Sequence, residues 1–261
     1  MEKRRVIYYT DELHDEFSTF TATPPRIDGS YDYERKNLRS RFLSFFLYRI
    51  VMYPVVVLYA RIVFRQKIIG RDKLKPYRKQ GLFLYGNHTQ PLGDALLQTR
   101  LTFPARTNII VHPNNLVVPV LGRMVPYLGG LPVPDDKAAC RNFLKAVKIR
   151  ISEGRPLVIY PEAHIWPYYT GIRPFADTSF RYPTELEAPV FCFVNTYKKT
   201  GFRKRPRMVT YIEGPFWADE GAAPKDRRRA LRDAVYSKMC ELAENSDIEV
   251  IRYIKKEEFN G

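Results

Sequence analysis

The chain offers little to disulfide, metal or nucleotide chemistry. Its three cysteines (Cys140, Cys192 and Cys240) are widely spaced and form no C-x-x-C pair. They stand among apolar neighbours, the usual setting of reduced core thiols in a cytoplasmic protein. The four histidines, His14, His88, His112 and His164, lack the H-E-x-x-H spacing of a zinc helix. A metal would need His88, His164 and Glu162 to converge from separate segments, and none is expected. No P-loop or G-x-G-x-x-G is present, and the absence of a G-x-S-x-G elbow disfavours a hydrolase with a covalent acyl-enzyme. The basic start, MEKRR, leads into mixed charge rather than an apolar run, so no signal peptide is read there. Internal repeats and low-complexity tracts are missing as well.

Acidic residues are the other shortage. Against 43 Lys and Arg stand 28 Asp and Glu, a formal charge of +15. That balance favours anionic partners: membrane headgroups, phosphorylated substrates or nucleic acid. Apolar residues make up 45% of the 261, enough for one domain with a full core and too many for a disordered chain.

Residues 1–38 are polar, tyrosine-rich and broken by TATPPRIDGS, the pattern of an irregular or extended lead. The composition then changes. Over residues 42–60 (FLSFFLYRIVMYPVVVLYA) only Ser44, Arg49 and Pro54 interrupt apolar side chains. The length is close to the roughly 20 residues that span a bilayer. Arg49 inside the run, Pro54 near its middle and basic residues at both ends (Arg39, Arg41; Arg61, Arg65, Lys67) count against a simple span. A monotopic kinked helix or helical hairpin is favoured over a transmembrane helix, and a buried pair of core helices is the remaining alternative.

Beyond Gly70, short apolar runs alternate with helical patterns. Strands are expected at 81–87, 107–111, 156–162, 188–195, 207–214 and 247–254. Helices are expected from Pro91 over LGDALLQTRL, at 137–153 and at 225–245. The fold class is therefore α/β: a mainly parallel or mixed sheet flanked by helices, preceded by the apolar helical segment. Chemistry in such sheets gathers where strands end and loops begin.

Two clusters place reactive groups there. In GNHTQPLGD, His88 follows a strand and Asp94 lies in the segment beyond it. A histidine at a loop mouth stays partly exposed and titrates near neutrality, and a nearby carboxylate fixes its tautomer and supports the imidazolium. Activating an alcohol requires that pairing. Gly86-Asn87 and Gly93 point to a turn with unusual backbone angles. By spacing alone, a helix-capping polar cluster is the simpler reading. In VIYPEAHIWPYY (158–169) a strand delivers Tyr160-Pro161-Glu162 to an aromatic loop. Glu162 either binds a hydroxyl or headgroup, or orients the loop through backbone hydrogen bonds; the aromatics either meet an acyl chain or membrane interface, or pack as core.

The order of these features resembles the glycerolipid acyltransferase superfamily, whose familiar members are the lysophosphatidic acid acyltransferases. Asn87-His88 through Asp94 is similar to the family's N-H-x-x-x-x-D block, with five residues rather than four between His and Asp. Tyr160-Pro161-Glu162 is similar to the start of F-P-E-G-T-R, and Ala188-Pro189-Val190 with its apolar strand to V-P-[IV]-x-P-V. Gly129-Gly130-Leu131-Pro132-Val133 loosely matches the G-x-x-F-[IV]-x-R block. Together these cover residues 68–215. The block arginines are absent: Pro134-Asp135 and Ala163-His164-Ile165 stand in their places.

The resemblance implies the family's α/β fold and direct acyl transfer with no metal or prosthetic group. His88 is the expected base and Asp94 its orienting partner. Glu162, Arg173 and Asn87 are the expected substrate-binding residues, with Arg173 either replacing the missing phosphate-binding arginines or serving the structure. Backbone N–H groups near Gly129-Gly130 are the candidate oxyanion donors. The implied donor is acyl-CoA or acyl-carrier protein. The implied acceptor is a lysophospholipid, 1-acyl-sn-glycerol-3-phosphate first, at the cytoplasmic face of a membrane with anionic lipids. Residues 1–66 then form the lead and membrane-associating segment, and 67–261 the catalytic domain. Three rivals stand beside this reading: an acyltransferase for an acceptor without a phosphomonoester, a lipid-binding protein that keeps the fold without the chemistry, and, on charge alone, a nucleic-acid binder. The run Lys225-Asp226-Arg227-Arg228-Arg229 belongs to an amphipathic helix and forms no recognisable binding module, so nucleic acid is not an expected partner.

Overall fold

A computed structural model describes residues 5–17, 23–201 and 205–256. Of the lead segment, residues 1–4 and 18–22 lie outside the described residues. The strands are β1 (Arg5–Tyr9), β2 (Lys67–Ile69), β3 (Phe83–Gly86), β4 (Asn108–Val111), β5 (Gly130–Pro132), β6 (Leu157–Ile159), β7 (Val190–Lys198), β8 (Arg207–Phe216) and β9 (Ile251–Lys255). Seven of them make one sheet in the order β2-β8-β7-β3-β6-β4-β5, antiparallel at β7–β8 and parallel elsewhere. The expected mainly parallel α/β sheet is the observed one.

The central strands read as unbroken apolar runs because both of their faces are buried. Phe83, Tyr85, Leu157, Ile159, Val190, Cys192 and Val194 enter one core, while Leu84, Val158, Phe191 and Phe193 enter the other. Alternation across the pleat divides the side chains this way. The first core is covered by Phe143, Ala146 and Val147 of the helix Lys137–Ser152 and by Leu231, Val235, Met239 and Leu242 of the helix Pro224–Ala243. The second is covered by Leu74 and Leu101. Beyond the expected strands lie β1, β2 and β5. The last predicted strand forms as β9, pairing in parallel with β1 in a separate two-stranded sheet.

The apolar segment is one continuous helix, α1 (Leu38–Phe64), of 27 residues, with a mean hydropathy of 1.8 over its most apolar 18-residue window. No hairpin forms. Pro54 is accommodated just after a π-helical stretch, Phe46–Met52, where the hydrogen-bond ladder has already shifted register. Ser44, Tyr48, Met52, Val56, Ala60 and Phe64 are buried, one in every four residues. In a pure α-helix such a row would drift by roughly 40° at each step and wind out of contact. The two π-helical stretches, Phe46–Met52 and Ala60–Phe64, turn more slowly and hold it on the body. The opposite row, Leu38, Phe42, Phe46, Ile50, Pro54, Leu58 and Ile62, is exposed and wholly apolar. A buried core pair is therefore excluded by exposure. Val56 is 1% exposed and Leu58 59%. Chemical denaturation should show Val56→Asp costing about 3 kcal/mol or more, and Leu58→Asp within about 0.5 kcal/mol of wild type.

Candidate functional site

The backbone leaves β3 at Gly86, where a Cβ would run into the Phe193 ring. Neither Gly86 nor Gly93 has a positive φ; they are needed for close approach rather than for unusual angles. Asn87 is buried, its amide donating to the Asn195 carbonyl (3.1 Å) and its Oδ1 accepting from the Asn195 N–H (2.8 Å). That reciprocal pair ties the end of β3 to β7. It also spends the groups that sequence assigned to substrate, so Asn87 holds the site's frame.

His88 comes next, with a 17% exposed side chain. Its Nδ1 lies 2.9 Å from Asp94 Oδ2, which also accepts the Gln90 N–H at 2.7 Å. Asp94 is 1% exposed, and its Oδ1 has no partner among the described residues. A carboxylate so placed makes Nδ1 the protonated nitrogen and leaves Nε2 as the acceptor. The His-x5-Asp spacing works because the expected helix after Pro91 does not form there. Residues 91–98 are irregular turns with mixed bonds, among them Asp94 N–H to the Gln90 carbonyl and Leu97 N–H to the Gly93 carbonyl, and helix appears only at Thr99–Thr102. The single α-type turn from Gln90 to Asp94 returns the carboxylate to the Gln90 N–H and to the imidazole. Tyr160 stacks on the ring at 4.4 Å and 12°, its hydroxyl donating to the Asp94 carbonyl at 2.7 Å. Burial pushes the Tyr160 hydroxyl well above its usual range, which keeps it a neutral donor. Thr89 and Gln90 bond to the Tyr197 hydroxyl and complete the wall.

Glu162, at the end of β6, accepts the His88 N–H (3.1 Å) and the Arg173 N–H (3.2 Å) and pairs with the Arg173 guanidinium (3.4 Å). Burial raises its carboxyl above the usual value, and Arg173 opposes that rise. Arg173 is 1% exposed. It donates to the carbonyls of Glu162, His164 and Glu12, and lies 4.9 Å over Trp166. Of the two roles open to each residue in the sequence, the structure gives the internal one: Glu162 orients the loop and Arg173 braces it. Both are enclosed in the protein.

The same loop returns to the histidine. Trp166 N–H donates to the His88 carbonyl (3.1 Å) and Tyr168 N–H to that of Thr89 (3.0 Å). From below, the N-terminal segment holds it: Trp166 Nε1 donates to the Asp15 carbonyl (2.8 Å) and Ile165 N–H to the Glu16 carboxylate (3.2 Å). Tyr9, Phe17, Tyr169 and Tyr253 pack around Trp166. The loop's aromatics are thus packed inward, and the His164 ring turns to Glu16.

Gly129 and Gly130 are elsewhere. Gly130 is level with Ile109, Ile109 with Val158, and Val158 with Leu84, four residues before His88. Three strand spacings and four residues put the pair about 14 Å across and about 13 Å along the sheet from the histidine. The Gly130 N–H is bonded to the Val125 carbonyl. The sequence expectation of an oxyanion role there is corrected: the pair starts an edge strand at the opposite end of the sheet.

No protein-family model and no curated protein matches the chain. Among solved structures, the 1-acyl-sn-glycerophosphate (LPA) acyltransferase PlsC from Thermotoga maritima superposes with a TM-score of 0.52. The match covers 83% of this chain and 100% of that one at 13% identity. At that identity the shared property is the fold.

Glu162→Ala leaves two buried N–H groups and a buried guanidinium without their carboxylate. It should cost about 3–5 kcal/mol in denaturant-induced unfolding, far more than a residue whose task is to touch a ligand.

Proposed function

We propose that the protein is an O-acyltransferase that moves a fatty acyl group from acyl-CoA or acyl-carrier protein to a lipid hydroxyl at a membrane surface. The observation that carries the reading is the His88–Asp94 pair, half-open at the end of β3, in a fold shared with an LPA acyltransferase. Asp94 holds the proton on Nδ1, so Nε2 takes the proton of the acceptor hydroxyl as its oxygen attacks the thioester carbonyl. The tetrahedral intermediate collapses by breaking the C–S bond. The imidazolium returns its proton to the leaving thiolate, giving ester and thiol with no covalent enzyme intermediate.

The exposed apolar row of α1 supports membrane association. A helix packed along the body on one face and bare on the other fits a monotopic element lying in the interface. The arginines near its ends, Arg39 and Arg41 at one and Arg61 and Arg65 at the other, favour an anionic surface, and the cytoplasmic leaflet is the expected location. The proposed acceptor is a lysophospholipid, 1-acyl-sn-glycerol-3-phosphate first, and the proposed role is in phospholipid biosynthesis; the shared fold supports this reading. The burial of Arg173 favours a second reading, an acceptor without a phosphomonoester, because the residue nominated to bind that group is enclosed.

Thiol release from acyl-CoA in the presence of lysolipid should vanish in His88→Ala while the chain stays folded and bound to vesicles. Retained activity in that variant would overturn His88 as the base, and absence of thiol release by the wild type would leave a lipid-binding protein as the reading. Asp94→Asn should lose roughly 10³–10⁴-fold in kcat, because the amide presents the wrong hydrogen-bonding partner to Nδ1. A panel of acceptors with and without a phosphomonoester decides between the two acceptors: a preference of at least about tenfold for the phosphate-bearing lysolipid is expected if a charged side chain recognises it.

A further inference from the structure

A second concave site lies at the other end of the sheet. It has a volume of about 250 Å³, and Leu82 and Pro156, which precede β3 and β6, mark its position. Its floor is apolar, made by Leu74, Leu82, Leu101 and Phe103, and its rim carries Arg49, Arg71 and Arg78 with no acidic side chain among the described lining residues. Three solvent-accessible arginines around an apolar floor match an anion with an apolar body.

The arginines are pre-set. Arg49 donates to the Pro104 carbonyl (2.7 Å) and lies 5.7 Å over Phe103. Arg71 donates to the carbonyls of Leu101 (3.1 Å) and Phe103 (2.7 Å). Each guanidinium has five N–H donors, so these bonds fix its direction and leave others open. The Arg78 side chain is exposed and makes no hydrogen bond or ion pair among the described residues. Arg49 belongs to α1 and flanks the exposed row at Phe46 and Ile50, so the site opens where that apolar face meets the body.

We propose that this groove seats one anionic phospholipid, with its phosphate among Arg49, Arg71 and Arg78 and the start of an acyl chain over Leu74 and Leu101. The proposal rests on the reading that the exposed face of α1 lies in a membrane. The lipid serves as a docking ligand, not a substrate, because His88 stands past the opposite ends of the strands. Its binding ties α1 to the short helical segment Arg71–Tyr77 and fixes how the body sits on an anionic leaflet.

The test titrates the full chain with dihexanoyl phosphatidylglycerol, dihexanoyl phosphatidylcholine (both below their micelle concentrations) and inorganic phosphate, read by calorimetry. Saturable binding of one phosphatidylglycerol per chain is expected, with neither of the other two binding comparably. Arg78→Glu should weaken it by about tenfold or more and leave acyl transfer in detergent unchanged. Equal binding of the two lipids, equal binding of free phosphate, or an unaffected Arg78→Glu variant overturns the proposal. Vesicle sedimentation of Phe42→Asp separates the two readings. If the wild type ignores phosphatidylglycerol vesicles but binds the monomeric lipid, the membrane reading of α1 fails and the groove stands.

Discussion

A carboxylate buried without solvent has to be surrounded by donors, and Glu162 is surrounded by parts of the chain that would otherwise be independent. Its oxygens take the backbone N–H of His88 from the end of β3 and that of Arg173 from the segment after the aromatic loop. The guanidinium it pairs with takes carbonyls from that loop and from the N-terminal segment. One charge pair therefore sets the relative position of two adjacent strand ends, and the imidazole rides on that junction. A buried pair of this kind contributes position more than stability, since removal of both charges from water offsets much of their attraction.

The second constraint is the four-residue repeat of α1. Neither an α-helix nor a π-helix alone keeps every fourth residue in line, and the alternation of the two does. The consequence is a helix with two faces of one character, both apolar, of which only one has a protein partner. Ser44 and Tyr48 reach the carbonyl of Tyr127 and the N–H of Thr107, while Val56, Ala60 and Phe64 join Leu97 and Tyr197 near the histidine's end of the sheet. The helix thus runs past both ends of the sheet and brings its bare face close to each. The acyl transfer proposed above, which joins a soluble thioester to a lipid, would benefit from that placement, because the lipid need not leave the interface.

Legibility in the sequence followed from burial on two faces. β3, β6 and the first five residues of β7 were readable as short apolar runs because nothing polar interrupts them where both faces are enclosed. β2 and β5, three residues each at the sheet's two edges, carry no such run. His88 and Asp94 were readable from their order relative to the Pro161-Glu162 loop, although their spacing alone favoured a cap. Asn87's partner was not readable: Asn195 is 108 residues away and meets it only through the β3–β7 pairing. The assignment of Gly129-Gly130 failed for a related reason. A resemblance of strings places residues along the chain, whereas level on a sheet depends on register, and register put that pair at the far edge.

The arginines close the account of specificity. In a protein of charge +15, Arg173 near the histidine faces inward, while Arg39, Arg41, Arg61, Arg71 and Arg78 lie exposed on or beside α1. Recognition of a phosphate is geometric and demands a guanidinium within a hydrogen bond of it; attraction to an anionic surface demands only proximity within a Debye length. The arginines on and beside α1 meet the second requirement under the proposal that its exposed face lies on an anionic leaflet. Near His88 the chain spends its one buried arginine on its own carbonyls. Under the proposed acyl transfer, discrimination among acceptors then rests on groups other than Arg173, Tyr160 stacked on the imidazole among the nearest.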